Sequence, residues 1–78
     1  MTTTDDVLRN VAETLLISPE ALHERSAAVD FEEWDSMGTM ALMSMLDGRY
    51  GLRLAPGDAA QLQSVSGILD LLRKAGKL

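Results

Sequence analysis

The chain has 78 residues, 46% of them apolar and 4% aromatic, with 12 acidic against 7 basic side chains for a net charge of −5. A domain of this size hides only about 60–65% of the surface its unfolded chain would expose, which leaves no room for a deep enclosed active site. The absence of cysteine removes disulfides, thiolate metal sites and cysteine nucleophiles from consideration, and the acidic balance argues against nucleic acid and for basic protein surfaces as partners.

The first predicted helix runs from Thr4 to near Ile17. Val7, Leu8, Val11, Leu15 and Leu16 recur at three- and four-residue intervals, and Thr4, Asp5 and Asp6 stand where a cap and acidic charge favour an N-terminus. Pro19 disfavours the helical conformation at Ser18 and so ends it. The opening residues show no basic region leading into an apolar run, and no stretch approaches the ~18 apolar residues of a membrane span. A cytoplasmic protein without membrane contact is expected.

Ser18-Pro19-Glu20 can start a single turn reaching His23, followed by an irregular stretch from about Arg25 to Asp35. The second main helix is predicted from Asp35-Ser36 to about Tyr50, with Gly51 as a left-handed stop and Gly48 costing ~1 kcal/mol against alanine. A short third helix is expected over Pro56–Leu62. Ser64 then caps a last helix whose Val65, Ile68, Leu69 and Leu72 form one stripe, with Arg73 and Lys74 complementing its C-terminal dipole and Gly76 beyond it. Three longer helices and one short one predict an all-α four-helix bundle comprising a single domain, residues 1–78.

The segment Phe31-Glu32-Glu33-Trp34-Asp35-Ser36-Met37-Gly38-Thr39-Met40 resembles the attachment site of the acyl carrier protein family, in which an Asp-Ser-Leu motif opens the second helix after a long loop. Here Asp35-Ser36-Met37 takes that place, followed by an apolar helix, Gly-Leu-Arg-Leu, a short helix and a closing Ser-Val-x-x-Ile-Leu-Asp-Leu-Leu helix. The likeness covers nearly the whole chain. It implies a discrete, monomeric carrier rather than an enzyme, with 4'-phosphopantetheine from coenzyme A covalently attached to Ser36 and Asp35 as part of the motif. The implied partners are a phosphopantetheinyl transferase and acyl-activating, acyltransferase or synthase enzymes of a specialised fatty-acid, polyketide or related pathway. A serine in the first turn of a helix is placed where free N–H groups and the dipole favour a phosphodiester. The cofactor brings its own thiol, which suits a chain without cysteine.

Other readings attach to the same residues. Asp35-Ser36 alone is also a plain helix cap, and an unmodified protein-binding adaptor of this fold is the alternative carrier-free reading. The missing Gly-Gly lead-in before Ser36 points away from an aminoacyl or peptidyl carrier, kept as a further alternative. A serine hydrolase fits poorly, since Ser36 lies in no G-x-S-x-G elbow and His23 is the only histidine.

Along the second helix, Thr39, Leu42, Met43, Leu46 and Tyr50 are assigned to the core, while Met37 and Met40 share the side of Ser36 and Ser44 and are candidates for partner contact. Trp34 is expected to anchor the long loop. Glu32, Glu33, Asp47, Asp58 and Asp70 read as a solvated face without metal-ligand spacing. The family's second helix is usually rich in glutamates; here Ala41, Gly48 and Arg49 stand instead, leaving Asp47 nearly alone as an acidic recognition residue. Arg49 is expected to face partners and repel basic ones. Leu42, Met43, Leu46, Leu62, Ile68 and Leu69 form an aliphatic interior able to shelter a chain or simply to pack.

Overall fold

The computed structural model describes residues 2–78, and a capping side chain starts each of its three α-helices. Among these residues the chain forms α1 (Thr4–Leu15), α2 (Ser36–Tyr50) and α3 (Val65–Lys74), with a 3-10 helix at Pro56–Gln63 and 3-10 turns at Pro19–Ala21 and Ala28–Asp30. The predicted all-α bundle of three longer helices and one short one is what the chain adopts, with the short element wound as 3-10. No helix among the described residues is long and apolar enough to cross a membrane.

The cap of α1 is Thr3, one residue before the expected Thr4. Thr3 Oγ1 accepts the Asp6 N–H at 3.2 Å and Asp6 Oδ2 accepts the Thr3 N–H at 3.0 Å, a reciprocal capping box. The helix also stops earlier than Ile17. Leu16 takes a left-handed conformation with φ 60°, and Ile17 donates back to the Ala12 carbonyl at 2.9 Å, closing a Schellman motif. A left-handed leucine costs about 1–2 kcal/mol. The reversal places Leu16 in solvent, 86% exposed, and turns Ile17 into the core, so Leu16 leaves the apolar stripe to which the periodicity assigned it.

At the other helices, spacing and structure coincide more closely. α2 ends at Gly51, φ 63°, whose N–H bonds the Asp47 carbonyl at 3.0 Å. Ser64 Oγ caps α3 through the Gly67 N–H at 3.0 Å, and Gly76 with φ 74° ends it. A Cβ at Gly67 would lie 2.1 Å from the Gln61 carbonyl oxygen, so α3 can cross the end of the 3-10 helix only with glycine at that point.

Val7, Val11 and Leu15 of α1 meet Leu42 and Leu46 of α2, Leu62 of the 3-10 helix, and Ile68, Leu69 and Leu72 of α3 in one buried cluster. Burial of a leucine-sized side chain contributes about 1.5–3 kcal/mol. The inner face of α2 differs from expectation: Met45 is buried with Leu42 and Leu46, whereas Thr39, Met43 and Tyr50 are only half-buried. The helix is turned so that an i, i+3, i+4 set faces inward.

The loop from Leu16 to Asp35 is fixed at two points. The Val65 N–H, an orphan donor of the first turn of α3, bonds the Ser26 carbonyl at 3.0 Å, with Ala27 and Ser64 forming an isolated antiparallel bridge. Trp34, 3% exposed, donates its indole N–H to the Leu62 carbonyl at 3.0 Å. The tryptophan anchors the loop, as its position ahead of α2 predicted.

Candidate functional site

Asp35 starts α2 with both its acceptors. Its Oδ1 takes the Gly38 N–H at 2.8 Å, and its carbonyl takes the Thr39 N–H at 2.8 Å and the Thr39 hydroxyl at 3.0 Å. Ser36 is thereby the first residue of the helix, and it is exposed. Among the described residues its hydroxyl has no hydrogen-bond partner. The Ser36 and Met37 N–H groups, being in the first turn, have no acceptor within the helix.

Gly38 explains why the serine faces outward. A Cβ at this position would lie 2.6 Å from the Glu33 carbonyl oxygen and 2.8 Å from Leu15 Cδ2. The inner side of the first turn is therefore pressed against the loop and the end of α1, leaving Ser36 and Met37 on the outer side. Residue-by-residue reading of the sequence did not single out Gly38, although glycine in a helix's first turn costs about 1 kcal/mol and hints at such a close approach.

Beside Ser36 lies an open cleft of about 420 Å³ lined by Trp34, Asp35, Ser36, Thr39 and Gln63. Gln63 bridges it from the 3-10 helix, donating Nε2–H to Thr39 Oγ1 at 3.1 Å. Thr39, expected in the core, instead serves this cleft; Gln63 escaped notice because the short helix was read to end at Leu62. The exposed hydroxyl, the free first-turn N–H groups and the adjoining space fit a phosphodiester-linked arm at Ser36.

The outer face of α2 is apolar near the serine, with Met37 79% and Met40 67% exposed. Asp47 is also exposed and lines a second groove of about 430 Å³ with Met43, Ser44, Leu52, Arg53 and Leu54. Arg49 is exposed, as expected of a residue that faces partners, and it also leans on α1. Its Nη1 donates to Asn10 Oδ1 at 2.6 Å and its Nη2 lies 3.9 Å from Glu13 Oε1, which draws the guanidinium onto α1. Between Arg25 and Arg49 the sequence has no basic residue, while Asp30, Glu32, Glu33 and Asp35 precede Ser36 and Asp47 follows it.

Two further expectations concern chemistry. His23 is exposed and its Nδ1 accepts the Arg25 N–H at 3.1 Å; no histidine lines the Ser36 cleft. Among the described residues no group of three or more His, Asp or Glu is arranged to hold a metal ion.

The family model described as phosphopantetheine attachment site matches residues 5–72. The chain is 27% identical over 73 residues to a protein named acyl carrier protein from Campylobacter curvus (strain 525.92), covering 94% of this chain and 95% of that one. It is 26% identical over 74 residues to a protein of the same name from Chlamydia muridarum (strain MoPn / Nigg), covering 95% of this chain and 96% of that one. No solved structure matches the chain significantly.

Proposed function

The chain belongs to the phosphopantetheine attachment site family, and on that premise we propose that it is an acyl carrier modified on Ser36. The observation that carries the reading is the exposed, unpartnered Ser36 hydroxyl at the first position of α2, held there by the Asp35 cap, within the matched residues.

Loading is a phosphoryl transfer catalysed by a separate transferase. The Ser36 Oγ attacks the phosphorus next to pantetheine in coenzyme A, an Oγ–P bond forms, and the pyrophosphate P–O bond breaks. Adenosine 3',5'-bisphosphate leaves, and the serine proton passes to the transferase. The chain's own residues hold the nucleophile outward and offer the first-turn N–H groups to the phosphodiester. Once attached, the arm supplies a thiol that carries the acyl group as a thioester.

Catalysis resides in the partners, which by this reading are the transferase and acyl-activating, acyltransferase or synthase enzymes. Met37 and Met40 supply the apolar part of the docking surface and Asp47 an acidic contact. Exposed methionines of this size are costly to leave in water and adapt to varied surfaces. The near-neutral α2 face favours a narrow set of dedicated partners over the general fatty-acid machinery, because rim charges govern encounter and partner choice. A gain of one phosphopantetheine in intact mass, after incubation with coenzyme A and a broad-specificity transferase, separates this reading from that of an unmodified adaptor.

A further inference from the structure

Two side chains beside Ser36 have a chemistry that carrying an acyl group does not use. Met37 and Met40 are 79% and 67% exposed, whereas Met45 is 8% exposed and Met43 packs half-buried against the core. A thioether in water is open to oxidants, and one held in a packed interior is shielded from them. The four methionines of α2 thus fall into two pairs of very different reach.

The exposed pair also sits beside the serine. At 3.6 residues per turn, Ser36, Met40 and Met37 lie within about 100° of the helix circumference. Helical side chains lean toward the helix N-terminus, so Met40 reaches back over the turn that opens with Ser36. Among the described residues, α2 exposes no other large apolar side chain to this degree. Converting both thioethers to sulfoxides therefore replaces the apolar part of the surface around the serine by two strongly polar groups.

Resting on the reading of Ser36 as the attachment point and of this face as the docking surface, we propose that Met37 and Met40 are a reversible oxidation site through which a peroxide lowers the carrier's engagement with its enzymes. The thioether sulfur attacks one peroxide oxygen. An S–O bond forms, the O–O bond breaks, sulfur gives up two electrons, and the other oxygen leaves as water with both protons. Sulfoxide reductases, one for each epimer, reverse the step with electrons from a thiol. An enzyme that covers the two side chains must then desolvate two polar groups, which lowers its affinity. The fold buries neither residue and is left as it was.

The test uses the full chain, treated with hydrogen peroxide, freed of it with catalase, and then incubated with coenzyme A and a broad-specificity transferase. Peptide fragmentation should find sulfoxide on Met37 and Met40 about tenfold sooner than on Met45, in keeping with exposure, and the melting temperature should stay that of the untreated chain. The initial loading rate should fall about three- to thirtyfold, as expected for covering two polar groups without partners, and should return after treatment with the reductases. Met37→Leu with Met40→Leu, which keeps Met1, Met43 and Met45, should show one rate before and after peroxide, whatever that rate is. Oxidation of Met45 as early as of the pair, or a lowered melting temperature, would overturn the site. An undiminished loading rate with both sulfoxides in place would overturn its coupling to docking while leaving attachment intact. An untreated chain that gains no phosphopantetheine would overturn the attachment reading, and this proposal with it.

Discussion

Arg49 Nη1 donates to Asn10 Oδ1 at 2.6 Å, crossing from the end of α2 to α1. Asn10 in turn donates Nδ2–H to the Tyr50 hydroxyl at 2.6 Å, so the one cation of α2 helps to join the helices while staying exposed. The α2 surface can be given negative charge without touching this link. Ala41 and Gly48 are exposed, and Ala41→Glu with Gly48→Glu supplies that charge without disturbing Arg49. The double variant should gain about five- to thirtyfold in engagement with enzymes that read acidic carriers, from ~0.5–1 kcal/mol per new surface pair. Competition against a housekeeping carrier for one ketosynthase measures this; an unchanged ratio would show that charge on this face is not what selects partners.

Trp34→Phe keeps most of the apolar packing and deletes the donor to the Leu62 carbonyl. An unpaired buried acceptor costs about 1–3 kcal/mol, and for a 78-residue domain that is a large share of total stability. Urea unfolding should show the midpoint falling with little change in slope. A stability equal to the parent's would mean that the bond is replaced by water.

Two glycines of α2 should respond oppositely to alanine. At Gly38 the added methyl meets a backbone carbonyl at 2.6 Å, and accommodating it should cost about 1–3 kcal/mol and slow loading of Ser36 by shifting the first turn. At Gly48 nothing lies within 4 Å, and alanine should stabilise by ~1 kcal/mol. Thermal melts of both variants, with a loading time course for Gly38→Ala, test the pair. Similar small effects at both sites would contradict the close approach at Gly38.

The Asp6 carboxyl is held below its ordinary value of about 3.8, first by the Thr3 backbone N–H and then by the Thr3 hydroxyl. A depressed folded-state value means that the capping box stabilises the fold at pH above about 3.8, and that this contribution is lost as pH falls through the lower folded value. Asp6→Ala should therefore melt below the parent at pH 7, with the gap closing as the pH is taken well under 3.8. A gap that stays constant across that range would assign the effect to packing instead.

Much of this architecture is legible in the sequence because the deciding signals are local. Asp35, Ser64 and Gly51 mark α2 and α3 through capping chemistry, and the Val65–Leu72 stripe needs only helical spacing. What escaped depends on contacts between distant segments. Leu16 reads as part of an apolar stripe until burial of Ile17 is seen to require a reversal there. Met45, given no face by the helical spacing, is buried, while Met43 packs at the margin of the core, because the rotation of α2 is set by its neighbours. Arg49 looks like a free cation until Asn10 and Glu13 are brought beside it. At the site, Ser36 is readable from its motif, whereas Gly38 and Gln63 acquire meaning only from Glu33, Leu15 and Thr39 across the fold.

The central claim is that Ser36 alone carries the arm. Chain incubated with coenzyme A and a broad-specificity phosphopantetheinyl transferase should gain one phosphopantetheine by intact mass, and fragmentation should place it on Ser36. Ser36→Ala, replacing an exposed side chain that makes no hydrogen bond among the described residues, should fold as the parent does and gain nothing. A Ser36→Ala protein that still acquires the modification, or a folded parent that never does, would contradict the account.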